Sequence, residues 1–218
     1  MKLKKIASLA LAGIMAVSML AGCNSATEPT DPENPVVPTA SDAVTYANDA
    51  LSGKEKEVMT FTGSASLDAL LEKVATNPDN FDSTAIESVS GNYNLNSNLT
   101  GQNNSWGLHN KVADGLTGQR GTEFKMFKDV PVDKVSQKVV VTAVISGNME
   151  EKAAVQAFVD AYAGYFNSNF PATISSTHTC DYAGEISVVK VASPEHSDMT
   201  AWVMAIVATQ TVTEAANA

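Results

Sequence analysis

From Val135 onward the chain alternates β-branched runs with a single amphipathic stripe, and this order constrains the fold more than any other feature. Val135–Ser146 is rich in Val and Ile and reads as a strand. Asn148, with Glu151 three residues later, resembles a capping box opening a helix that runs to about Asn167. Val155, Phe158, Val159, Tyr162 and Phe166 fall on one face of that helix, opposite Lys152, Gln156 and Asp160. Pro171 ends the region. Thr173–Cys180, Glu185–Ala192 and Thr200–Val212 then read as strands, with turns at Asp181–Gly184 and Ser193–Asp198. Connections this short favour antiparallel neighbours, because a parallel return needs a longer crossover. The expected class is α+β: an antiparallel sheet with one long C-terminal helix packed across it, plus shorter N-terminal helices.

The N-terminal half supplies those shorter helices. Ser41 is an N-cap candidate, and Val44, Ala47, Ala50 and Leu51 recur at helical spacing before Gly53. Val58–Thr62 reads as a short strand. Ser66 caps a second expected helix, with Leu67, Leu70, Leu71 and Val74 on one face and Asn77-Pro78 at its end. Ala85–Val89 is a less regular strand candidate. Asn92–Leu99 alternates, placing Tyr93, Leu95 and Leu99 on one side and four asparagines on the other. Past Leu99 no period survives, so Thr100–Gly121 reads as a long loop. A subdivision of the folded part near residues 122–132 stays open.

The first residues carry an address. Met1–Lys5 holds three lysines, and Ile6–Ala21 is an uncharged apolar run, the pattern of a secretory signal. It ends in Leu20-Ala21-Gly22-Cys23. This segment resembles the lipobox of the bacterial lipoprotein family, in which Leu and two small residues precede a Cys. The resemblance implies cleavage between Gly22 and Cys23 and lipidation of the Cys23 sulfur. It also implies a protein fastened to the cell membrane on its extracytoplasmic face. Asn24 replaces the aspartate that, in that family, marks retention at the inner membrane. Two or more acyl chains anchor stably where one does not.

On this reading residues 1–22 are the signal peptide, 23–40 a lipidated stalk, and 41–218 one acidic domain. Pro29, Pro32, Pro35 and Pro38 recur every third residue, which favours extended polyproline II. The whole chain carries 24 acidic and 14 basic side chains. Loss of Lys2, Lys4 and Lys5 with the signal makes the remainder still more acidic. Such a surface repels phosphate backbones and argues against a nucleic-acid partner.

Candidate chemistry centres on His178-Thr179-Cys180. In a strand, His178 and Cys180 point to the same side, and an imidazole beside a thiol can generate a thiolate nucleophile. Thr173–Ala192 also resembles the sortase cysteine segment: an apolar strand, Thr-Cys, a turn and a Val-rich strand. That resemblance implies Cys180 as nucleophile with His178 or His109 as base. Sortases carry an oxyanion-stabilising arginine on the following strand, and Glu185–Ala192 has none; the only arginine in the chain is Arg120. The plain reading of Cys180 is a small half-buried side chain in a sheet.

No metal-ligand spacing stands out among His109, His178 and His196, and no cofactor motif is present, so neither is expected. Asn94, Asn96, Trp106 and Arg120 have the chemistry of a glycan surface, since carboxamides both donate and accept hydrogen bonds. The competing reading is a polar strand and loop anchored by Trp106. The expectation is a non-catalytic binding or interaction module of the cell envelope, with a glycan or protein partner. A sortase-like transpeptidase using Cys180 is the alternative.

Overall fold

The computed structural model describes residues 42–96, 105–116, 120–121, 127, 136–175 and 177–214. Cys23, the signal, the stalk, Ser41, Asn98, Leu99 and nearly all of 122–132 lie outside the described residues. In chain order the elements are α1 (Ala43–Ala50), α2 (Gly53–Val58), β1 (Phe61–Thr62), α3 (Ala65–Ala75), α4 (Ser83–Val89) and α5 (Ser105–Gly115). They continue with β2 (Arg120–Gly121), β3 (Ser136–Ser146), α6 (Glu151–Asn169), β4 (Thr173–Ser175), β5 (His178–Ala192) and β6 (Thr200–Glu214). Among these residues no helix is long and apolar enough to cross a membrane.

Strand β6 explains the layering. From Val203 to Ala208 every residue is buried, whichever face it points to. A strand apolar on both faces must be covered on both. Met204, Ile206 and Ala208 pack with α1 and α6, where Val155, Phe158, Val159 and Phe166 are buried. Val203, Ala205 and Val207 pack on the other side with Leu67, Leu71 and Val74 of α3, Ile86 of α4 and Val112 of α5. The class is α+β, with helices on both faces of the sheet.

The sheet is mixed, not antiparallel as expected. Its order is β1-β5-β6-β3-β2, with β4 pairing β5. The three long strands β3, β6 and β5 pair antiparallel, Val141 opposite Ile206 and Ile186 opposite Ile206. The short strands β1 and β2 instead join the outer edges in parallel, Phe61 opposite Gly184 and Arg120 opposite Lys138. The short-connection rule governs strands joined by tight turns, whereas β1 and β2 come from the N-terminal half. Further along the edge of β3, Asn96 and Val144 exchange two backbone hydrogen bonds of 2.9 and 3.1 Å, and Ser146 N–H donates to Asn92 C=O.

Several local expectations are corrected. Asp181–Gly184 is not a turn but the middle of β5, paired with Thr211–Ala208. Gly184 serves close approach there: a Cβ would lie 2.8 Å from the Phe61 ring and 3.0 Å from the Met59 sulfur. Of the expected Val58–Thr62 strand only Phe61–Thr62 pairs in the sheet: Val58 ends α2, which the Ser52–Glu55 capping box opens, and Met59, though extended, is its C-cap. The cap of α3 is Ser64, whose hydroxyl accepts from Leu67 N–H, not Ser66. The N-cap of α6 is Glu150, and Asn148 makes no capping box.

Ala85–Val89 is helical. Asp82 accepts from Ala85 N–H at 2.8 Å and starts α4, whose spacing buries Ala85, Ile86 and Val89 together. The region read as loop contains α5, with Leu108, Val112 and Ala113 buried against the sheet. Asn92–Asn96 forms no strand beyond the Asn96–Val144 bridge, and Tyr93 is 61% exposed.

Candidate functional site

A cleft of about 360 Å³ opens where α2, the Met59–Thr60 connector, the Phe170–Ala172 segment and the start of β5 converge. Its size suits a small ligand or an extended side chain. Cys180 and Tyr182 line it from β5, and Lys56, Thr60 and Phe170 from the other elements.

Local chemistry sets each wall. Asn48 on α1 clamps β1: its carbonyl accepts from Phe61 N–H at 2.9 Å and its amide donates to Phe61 C=O at 2.9 Å. Glu55, half of the α2 capping box, also accepts from Asn167 of α6 at 3.2 Å. The connector is tied to β5 by Gly184 N–H donating to Thr60 C=O at 3.1 Å. Phe127, Phe170 and Tyr182 pack together with ring centroids 4.7–5.6 Å apart, Phe127 edge-on to Phe170 and Tyr182 tilted against both.

Behind the cleft runs a polar chain. Gln137 donates to the Gln210 carbonyl at 3.1 Å, and the Gln210 amide donates to Tyr182 Oη at 2.9 Å. Tyr182 in turn donates to Pro171 C=O at 2.8 Å. The same Gln210 amide lies 3.6 Å from Cys180 Sγ. Gln210 is fully buried, and a buried carboxamide must find partners of this kind. Burial raises the Tyr182 phenol pKa, against a lowering hydrogen bond from Gln210.

Cys180 is a free thiol, 7% exposed. Burial pushes its pKa up, the hydrogen bond with Tyr182 opposes this, and the Asp181 carboxylate adds to the rise. Among the described residues no histidine contributes to that shift. His178 Nδ1 lies 3.0 Å from both Ser175 Oγ and Thr177 Oγ1, which hold the imidazole at the β4–β5 turn. His109 is on α5, its Nδ1 3.3 Å from Thr142 Oγ1, and burial lowers its pKa. Thr142 pairs with Ala205, on the face packed by α3, α4 and α5. Cys180 shares the opposite face with Tyr182 and Gln210, so the sheet stands between His109 and the thiol.

The glycan candidates come from three parts of the chain: the Asn92–Asn96 segment, α5 and β2. Asn94 is exposed, its N–H donating to Asn92 Oδ1 at 3.0 Å in a local turn. Trp106 lies in the first turn of α5 and Arg120 in β2; their side chains lie outside the description. Arg120 and Asn96 pair with Lys138 and Val144, six residues apart on β3 and therefore roughly 20 Å.

Sequence reasoning missed Lys56, Tyr182 and Gln210. Tyr182 had a signal, since alternation puts it beside Cys180. A lone glutamine within the apolar run Ala201–Val212 was the other. No protein-family model, curated protein or solved structure matches this chain.

Proposed function

We propose that this is a lipid-anchored extracytoplasmic protein of the cell envelope whose folded part is a non-catalytic binding module for a glycan or protein partner. The observation that carries the anchor is Leu20-Ala21-Gly22-Cys23, placed directly after a basic start and an apolar run. Three features of the folded part support binding over chemistry. The cleft is large enough for a small group, two packed aromatic rings, Phe170 and Tyr182, are part of its lining, and its thiol sits in surroundings that favour the protonated form. A thiol transpeptidase needs a base and a cationic donor at the sulfur, and among the described residues the groups that shift the Cys180 pKa include neither.

The test is metabolic labelling with a radioactive fatty acid in bacteria expressing the full chain. Label is expected in the protein, together with its recovery in the membrane fraction, and Cys23→Ala is expected to abolish both. Label that survives Cys23→Ala, or an unlabelled wild-type chain in the cytosol with its leader intact, overturns the anchor.

A further inference from the structure

Away from the cleft, the fold brings together three side chains that are distant in sequence and carry ligand chemistry. Glu87 projects from α4, while Glu195 and His196 lie in the turn joining β5 to β6. One ligand atom from each lies within 4.8 Å of the other two. We propose that Glu87, Glu195 and His196 form a surface site for a divalent transition-metal ion of the zinc type, which clips α4 to the β5–β6 turn.

The donor set points to this class of ion. An imidazole nitrogen with two carboxylate oxygens suits zinc and its neighbours, whereas calcium and magnesium take oxygen ligands. Three protein ligands leave a further position for water, as in open zinc sites. The spacing agrees. His196 Nδ1 lies 2.8 Å from Glu87 Oε1. Two ligands each about 2.0–2.1 Å from a tetrahedral ion sit roughly 3.3 Å apart, so the His196–Glu87 pair opens by about half an ångström to admit an ion while the Glu195 carboxylate, on an exposed side chain, moves in to it.

The ligands are also held from behind. Ser193, 2% exposed, donates its hydroxyl to Glu87 Oε1 at 2.9 Å. Its oxygen accepts from the N–H groups of Glu195 and His196, at 3.3 Å each. Met199 N–H donates to His196 C=O and closes the turn. One buried hydroxyl thus orients the carboxylate from α4 and both residues of the turn. Hydrogen-bonded supports of this kind fix metal ligands in place.

The proposal is independent of lipidation. Its test is calorimetric titration of Zn²⁺ into the untagged full chain carrying Cys23→Ser, which removes the thiol outside the folded part. One equivalent is expected, with His196→Ala and Glu87→Gln each weakening binding by about tenfold or more and His178→Ala leaving it unchanged. Zinc is expected to raise the thermal midpoint of the parent protein and not that of His196→Ala, while excess Mg²⁺ does not compete. Both substitutions fall on partly or fully exposed side chains, and unchanged circular dichroism confirms that the variants fold. The proposal is overturned if Zn²⁺ does not bind below about 1 mM, or if both variants bind it as the parent does. In either case the cluster is an ion pair only.

Discussion

A thiol whose pKa is raised carries little thiolate at neutral pH, its thiolate fraction falling about tenfold for each pH unit by which the pKa rises, and only part of this is offset by the greater nucleophilicity of a more basic thiolate. In the chain carrying Cys23→Ser, Cys180 is therefore expected to react slowly with a thiol probe at pH 7.5. Its rate should climb with a midpoint above the ordinary thiol value of about 8.5, and unfolding should restore fast labelling. Rapid labelling of the folded protein near neutral pH contradicts the placement of this sulfur. The linkage has a definite sign. With the folded pKa above the unfolded one, the thiol's contribution to stability is complete below the ordinary thiol range and is lost as pH rises through the raised value. Alternation along β5 correctly places His178 and Cys180 on one side of a strand. It could not reveal that Ser175 and Thr177 occupy the imidazole or that Gln210 reaches the thiol from the neighbouring strand.

At the level of elements, legibility followed the length of the pattern. The β3 run and the amphipathic stripe of α6 extend over several periods, and a tertiary partner does not change their reading. Seven residues over Ser83–Val89 fit either period, and there the N-cap decided. The Asp82 carboxylate satisfies Ala85 N–H and turns a sequence that reads equally as strand into helix. Replacing Asp82 by Ala is expected to cost about 1 kcal/mol in urea unfolding, and Asp82→Asn much less, since asparagine caps almost as well. Equal midpoints for the parent and Asp82→Ala contradict this role. In α5 the buried pairs Leu108–His109 and Val112–Ala113 carry a helical signal, but asparagines and glycines around them obscured it. The candidate metal ligands had no sequence signature, because Glu87 meets His196 only once α4 lies beside the β5–β6 turn.

For the folded part as a whole, the decisive fact is that one pair of strands serves two cores. Val139, Val141 and Ile206 face α1 and α6, while Val140, Val144 and Val207 face α3, α4 and α5. Neither helical layer can leave without exposing the sheet that supports the other. Phe158→Ala on one side should cost about 3–5 kcal/mol and Leu71→Ala on the other about 2–5 kcal/mol. In each variant the fluorescence and circular dichroism midpoints should still coincide, as a single cooperative transition requires. Midpoints that separate in either variant would mean that the layers melt independently. The parallel pairing at the edges was not legible for a related reason: β1, which lies within the expected Val58–Thr62 strand, and β2 are too short for a period to fix their partners, which are chosen by the finished sheet. Gly184 shows how far such a choice reaches. Because it has no side chain, Met59 and Thr60 can rest directly on β5, and these two residues form one bank of the cleft. The aperture is thus gauged from behind by an absent methyl, and the dimensions of an acceptable guest can be retuned without altering any atom that the guest would touch.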